Sequence, residues 1–379
     1  MNRRRLLVLV PTAVLFVLGC NLNPATTAPR IDLSEVSLSG QRDVLYWGDS
    51  MTVSAAPSQG MSFLWRIDGS SVSGATSASV TVGSTLSKGA HQIDLIVTKE
   101  GVSKTIGCNF SVEQVPLSEL VSEVSETEIM RTTADLVNFG TRFVGTEGNI
   151  AAATYLHDRL SDLPNVVVAY HSTQFRNVIG TLPSGNPDSD IVYMVGAHYD
   201  STSNTPGIAP GATDNASGVA IVLEFARVMS RYTFEHPVVF GFWNDEEGTG
   251  GGSKEYADEA YSNSVKIGLY LNLDSSSYDP NNSFVLDIMH DPNSKWASDL
   301  MTANNSLYDF GLSLTYNVHN CSSDYVHFRD HGYAWLMTHE PTHGPAHTAD
   351  DTLDKISAAY AARNGRLCLS VLAELAGGN

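Results

Sequence analysis

The chain is poor in cysteine and in positive charge. Four cysteines in 379 residues, none in a C-x-x-C pair, leave no disulfide framework and no thiolate zinc finger to build on. Lysine and arginine number 22 against 41 aspartates and glutamates, a net charge of −19. That balance argues against a nucleic-acid partner, because affinity for phosphate backbones comes from basic side chains. Long apolar runs are also missing: the most apolar stretch, residues 6–18, is too short to span a bilayer comfortably, which takes about 20 residues. The shortage of positive charge is most telling between Arg231 and Lys254, where no lysine or arginine accompanies the tandem carboxylates Glu246 and Glu247. Two adjacent carboxylates at the end of an apolar run need a counter-charge if they are buried, and a metal ion would supply it.

What is present divides the chain. Residues 1–20 combine Arg3-Arg4-Arg5, the apolar stretch and Gly19-Cys20, and resemble a bacterial lipoprotein signal in which Cys20 is lipidated and becomes the new N-terminus. This implies an exported protein, lipid-anchored at the cell envelope, and removal of residues 1–19 would leave a net charge of −22. Residues 21–40 read as a tether rich in Asn, Pro, Thr and Ala. Residues 41–115 alternate short β-type runs with turns such as Asp68-Gly69 and Lys88-Gly89, the pattern of a small antiparallel sandwich with Trp65 in its core. The layout resembles immunoglobulin-like or polycystic-kidney-type domains, and no chemistry is legible in it.

Residues 116–379 change pattern. Residues 118–138 read as one helix, and strands are expected over 166–170, 177–181, 191–197, 238–243 and 267–273, with helices at 150–160, 218–230 and 254–261. Such alternation predicts an α/β fold with a mostly parallel central sheet flanked by helices, whose ligands bind beyond the carboxyl ends of the strands. The candidate chemistry falls at those ends: His198-Tyr199-Asp200 after one strand, Asp214 at the mouth of a helix, Glu246-Glu247 after another strand, Asp274 after a third, and His347 before the C-terminal helix. Asp351 reads as an N-cap for that helix. The His198 and Asp200 side chains, two residues apart in extended chain, share a face, which lets Asp200 orient the imidazole. Two histidines and several carboxylates form a nitrogen and oxygen donor set suited to zinc, with manganese or cobalt as substitutes.

The strings AHYDS, PGATDNASGVA, FWNDEEGTGGGS, NLD and HTADDTLDKI, in this order, resemble the zinc-dependent exopeptidase family of bacterial leucyl-type aminopeptidases, and TRFVGTEGNIAAATYL and SSDYVHFRDHGYA extend the likeness. The resemblance implies two zinc ions. His198 and Asp274 complete one, Glu247 and His347 the other, and Asp214 bridges them; Glu246 is general base and acid, and Asp200 orients His198. The implied substrate is a peptide; oligomeric state is not implied. Ala346 stands where many relatives have a tyrosine, Ser275-Ser276-Ser277 replaces the usual continuation after NLD, and Tyr325 stands where a histidine is usual. Because Pro341, Gly344 and Pro345 preclude a helix there, His339 and His343 read as pocket-wall or solvated residues and not as ligands. A glutaminyl cyclase with one zinc, a carboxypeptidase and a non-catalytic relative are the alternatives on the same fold; the retained His198 argues against the first. Cys321 and Cys368 are candidates for pairing, at a separation the sequence does not fix.

Overall fold

The structure, a computed structural model, describes residues 32–205, 207–318 and 321–378. The signal segment, Cys20 and most of the expected tether lie outside the described residues. Eight strands come first: β1 (Ser37–Ser39), β2 (Val44–Tyr46), β3 (Met51–Ala56), β4 (Ser62–Ile67), β5 (Ser70–Ser71), β6 (Ser79–Val82), β7 (Gly89–Lys99) and β8 (Val102–Glu113). They form a three-stranded sheet, β1-β3-β6, and a five-stranded sheet, β2-β8-β7-β4-β5. The two close on one core, because the alternation in β3 turns Met51, Val53 and Ala55 inward and Thr52 outward. Trp65 is fully buried there and satisfies its indole N–H on the Ser77 carbonyl at 2.9 Å. Two details differ from the expectation. Strand β1 lies inside the stretch read as tether, and β2 pairs with β8 in parallel rather than antiparallel.

The expected helix over 118–138 is two helices, α1 (Leu117–Ser122) and α2 (Glu126–Asn138). Ser125 ends the continuity by accepting the Glu128 N–H at 3.3 Å, an N-cap that starts a new helix. Then come α3 (Glu147–Ser161), β9 (Val167–His171), β10 (Asn177–Leu182), β11 (Ile191–His198), α4 (Ser217–Met229), β12 (Val238–Trp243), α5 (Gly251–Ser262) and β13 (Lys266–Leu273). Between 285 and 339, where the sequence pattern assigns no elements, lie β14 (Val285–Met289), α6 (Lys295–Leu307), β15 (Ser313–Tyr316), α7 (Tyr325–Asp330) and β16 (Trp335–His339); α8 (Ala358–Leu375) follows.

The eight later strands form one sheet in the order β15-β14-β16-β13-β11-β12-β10-β9. Its four central strands, β16, β13, β11 and β12, are parallel, and antiparallel pairings enter on either side at β14 and β10. β12 and β16 are buried throughout, and β11 and β13 are buried over the halves that lead to their carboxyl ends. One close approach needs glycine: Gly196 and Gly241 are register partners, and a Cβ on either would collide with the Trp243 indole, which donates instead to the Tyr270 hydroxyl at 2.8 Å. The two-sheet unit leans on this region away from the carboxyl ends of the strands. Gln114 donates to the Thr233 carbonyl at 2.9 Å, Lys88 meets Glu235 at 3.0 Å, and Trp47 covers Gly185, all beside the entry to β12 rather than its exit toward Glu246.

Candidate metal centre

Parallel strands send their carboxyl ends the same way, and there the acidic and imidazole side chains collect. β11 ends on His198, whose side chain is 1% exposed. Its Nε2 lies 3.2 Å from Asp214 Oδ1 and 3.5 Å from Asp274 Oδ1. Asp274 follows the neighbouring strand β13, and Asp214 sits in the turn Ala212–Ala216 that leads into α4. The other oxygen of Asp214, Oδ2, is 3.1 Å from His347 Nε2, which also stands 3.0 Å from Glu247 Oε2. Asp214 thus divides its two oxygens between two groups, His198-Asp214-Asp274 and Asp214-Glu247-His347, in each of which the donor atoms lie within 4.8 Å of one another.

Glu246 belongs to neither group among the described residues, although it adjoins Glu247 and lines the same cavity. Asp200 holds the pair by accepting the main-chain N–H of Glu246 at 3.2 Å and of Glu247 at 3.1 Å. Its carboxylate is 3.5 Å from His198 Nδ1, whose nearer partner is the Asp200 main-chain oxygen at 3.3 Å. Asp200 therefore positions the glutamate turn as well as standing beside the imidazole, a second task that spacing alone does not reveal.

The electrostatics call for a cation. Burial pushes the Glu246 carboxyl up to about 9, with Asp274, Asp324 and Glu247 adding repulsion. Burial likewise raises Glu247 to about 6. Burial would raise Asp214 too, but the neighbouring imidazoles of His198 and His347 hold it well below the usual carboxylate range. His347 is driven up to about 11, first by Asp214 and then by Glu247. For His198, burial opposes the charged form, and Asp274, Asp200 and Asp214 outweigh it. Protons on the imidazoles are one source of compensation, and an incomplete one. His198 Nε2 stands close to two carboxylates yet aligns with neither, and buried Glu247 Oε1 likewise makes no hydrogen bond. Misaligned donor atoms converging from three elements suit one central ion better than pairwise hydrogen bonds. The nitrogen and oxygen donors fit zinc, manganese or cobalt.

The cavity over these residues has a volume of about 310 Å³, and Ser275, Cys321, Met337, His339 and His343 contribute to its wall. His339 is buried and His343 exposed, their rings edge to face at 5.0 Å, and neither joins a donor group among the described residues. A smaller adjoining cavity of about 210 Å³ connects Glu246 with Asp324, a fully buried carboxyl raised to about 7 by desolvation.

Two expectations need correction. Asp351 does not cap the C-terminal helix, which starts after Ser357; it is buried and accepts hydrogen bonds from the turn that carries Asp214. Cys321 and Cys368 do not pair. Cys368 is buried in the main core, while Cys321 lies on the other side of the sheet 3.6 Å from the Met289 sulfur, and both thiols are free. The sequence reading also passed over Arg142 as an individual residue, and no local pattern marks an arginine that serves distant main-chain carbonyls.

Comparison with known proteins gives a family and a fold. The sequence model of peptidase family M28 matches residues 177–372. A probable zinc metalloprotease of Pyrenophora teres f. teres is 32% identical over 193 residues, which are 42% of this chain and 41% of that protein. The chain thus spans about two-fifths of the length of that relative. Among solved structures, the Legionella pneumophila LapA aminopeptidase superposes with a TM-score of 0.63 at 19% identity, covering 69% of this chain and 74% of that one. A Bacteroides thetaiotaomicron glutaminyl cyclase gives 0.54 at 19% identity, covering 66% of this chain and 98% of that one. These two structures show a shared fold.

Proposed function

The chain belongs to peptidase family M28, and from that premise we propose that it is a zinc-dependent aminopeptidase that removes N-terminal residues from peptides. The observation that carries the reading is the division of Asp214 between two donor groups with Glu246 standing outside both. His198, Asp214 and Asp274 would hold one zinc, and Asp214, Glu247 and His347 a second. Bound there, the ions would polarise the scissile carbonyl and make water a nucleophile at neutral pH. The remaining work falls to the chain. Glu246, whose carboxyl the bound cations would return to its ionised form, takes a proton from the attacking water and delivers it to the leaving amine. Asp200 keeps Glu246 and Glu247 pointing to their separate tasks through their main-chain N–H groups. The cavity wall receives the side chain of the terminal residue. A panel of aminoacyl fluorogenic substrates, run with and without a chelator, tests the activity, with N-terminally blocked peptides alongside. Turnover of free but not blocked substrates, abolished by chelation, is the expected result; cleavage only at the carboxyl terminus, or cyclisation of N-terminal glutamine, would replace the proposal.

We also propose an envelope location, from Arg3-Arg4-Arg5, the apolar run 6–18 and Gly19-Cys20. Cys20→Ser should release the protein from the membrane fraction or halt its processing, and unchanged attachment of the mature variant would refute lipidation at that residue.

A further inference from the structure

Arg142 is fully buried, and every hydrogen bond of its guanidinium among the described residues goes to a main-chain carbonyl. Nε donates to Tyr199 at 2.8 Å, Nη1 to Pro210 at 2.7 Å and Leu136 at 3.3 Å, and Nη2 to Gly211 at 2.8 Å. Tyr199 lies between His198 and Asp200, and Pro210 and Gly211 open the turn that carries Asp214. The rigid fork therefore joins two of the three segments that deliver the first donor group, those of His198 and Asp214. The fit is tight: Gly211 has a φ of +54°, and a Cβ there would stand 2.9 Å from Arg142 Nη2.

The other side of the same turn is held by Asp351. Its Oδ1 accepts the Thr213 N–H and the Thr213 hydroxyl, both at 2.8 Å, and its Oδ2 accepts the Asp214 N–H at 3.1 Å. Its main-chain oxygen takes the Ala212 N–H at 3.1 Å. Carbonyls 210 and 211 are thus gripped by a cation and N–H groups 212 to 214 by an anion and its own carbonyl. Asp351 is four residues beyond His347, so the anion also ties the loop bearing His347 to the turn bearing Asp214.

We propose that Arg142 and Asp351 are a positioning pair for the shared carboxylate. Arg142 aligns Asp214 with His198, and Asp351 aligns Asp214 with His347. This rests on the reading of Asp214 as a ligand to both ions. The consequence is directional: Asp351 governs retention of the ion on the His347 side, whereas Arg142, which joins the His198 segment to the Asp214 turn, governs retention of the ion on the His198 side. Neither residue touches the substrate cavity, so both act through Asp214.

The test is zinc affinity of the full chain, measured by chelator competition with zinc alone for the wild type, Asp351→Asn, Arg142→Lys, Thr213→Val and Asp214→Asn, with thermal unfolding as a folding control. Asp351→Asn should weaken the zinc on the His347 side by roughly 10- to 100-fold and leave the one on the His198 side within about threefold, as loss of a residue that orients a ligand does. Arg142→Lys, which keeps the charge and loses the fork, should weaken chiefly the zinc on the His198 side. Thr213→Val removes only the hydroxyl contact and should reproduce the Asp351 effect in miniature, which keeps the proposal testable if the other variants fail to fold. With excess zinc, kcat of Asp351→Asn should recover while KM stays near that of the wild type. Unchanged affinities in folded Asp351→Asn and Thr213→Val, or equal loss at both sites, would overturn the proposal. Full zinc retention by Asp214→Asn would instead overturn the functional reading on which it stands.

Discussion

The two donor groups use the same kinds of atoms in different surroundings. In His198-Asp214-Asp274 every residue is buried, and the histidine closes a central strand whose register places it beside Trp243. In Asp214-Glu247-His347 the histidine side chain is 61% exposed and stands on a loop with a φ of +58°. Ligand chemistry therefore does not distinguish the groups; support does. A donor fixed by a strand and desolvated on all sides leaves its ion slowly and leaves large uncompensated charge behind, whereas a loop donor open to solvent can swing aside. The first group reads as the tenacious one and the second as the exchangeable one.

The largest expected effect separates ligand from base within the pair Glu246-Glu247. Glu246→Gln should cut turnover by roughly a hundredfold or more with both ions retained, since an amide cannot accept the proton. Glu247→Gln should lose zinc from the exchangeable group and regain activity with added zinc. Metal analysis beside turnover decides, and a zinc-depleted Glu246→Gln protein with a fully loaded Glu247→Gln counterpart would reverse the two roles.

Next is pH. With its pKa driven up to about 11 by Asp214 and Glu247, His347 holds a proton at neutral pH in the metal-free protein, and zinc must displace it. Zinc affinity of the exchangeable group should therefore rise about tenfold per pH unit for that one proton, as linkage requires. Calorimetry in buffers of different ionisation enthalpy measures the release. The sign for stability is opposite: a histidine with a raised pKa stabilises the metal-free fold fully below its unfolded value of about 6.5, and that contribution is lost as pH climbs through about 11.

Stability of the metal-free protein offers a third comparison. His198→Ala leaves Asp214 and Asp274 buried without their partner and should cost about 3 kcal/mol, the scale for breaking a buried ion pair. His347→Ala removes an exposed side chain and should cost less than about 1 kcal/mol after solvent screening. Urea unfolding in the presence of a chelator reads both, and equal costs would dissolve the distinction between the groups.

The smallest effect is expected from removing the N-terminal sheets. Neither group receives a residue from them, and their contacts reach Glu119, Gly185, Tyr232, Thr233 and Glu235, none of which is a donor. A chain beginning at Gln114 should bind both ions and keep its kinetics on aminoacyl substrates. Selective loss of one ion would mean that the sheets support that group from a distance.

All seven residues singled out from sequence as metal ligands, base or orienting carboxylate gather at one end of the central strands. Asp214 and His347 stand before helices and were assigned through the resemblance, whereas for His198, Asp200, Glu246, Glu247 and Asp274 the rule that carried them is local: a strand pattern, then a polar residue at its carboxyl end. The centre of the sheet was legible for the same reason. β16 was not, although it sits beside β13, since strand order depends on crossovers that no short pattern encodes, and the few residues of Trp335–His339 carry no alternation when all are buried. Asp351 was misread because an acid shortly before a helix has the outward form of a cap. Its actual partners, Thr213 and Asp214, are more than a hundred residues away. Arg142 escaped notice because its partners are backbone carbonyls, which carry no sequence signature.

The glycine-made niche for Trp243 has an optical consequence. Its indole is shut off from water, tied through the Tyr270 hydroxyl to Asn272 and on to Ser323, and laid beside His198 in the register of the sheet. Water does not set the emission of such a fluorophore; the charge and alignment of its neighbours do. Trp296, by contrast, is 44% exposed and reports mainly on solvent. An ion held by the His198 group would change the charge next to Trp243, so the share of the blue-shifted emission that comes from Trp243, as distinct from buried Trp65 and Trp335, should follow that ion more closely than one held by the His347 group.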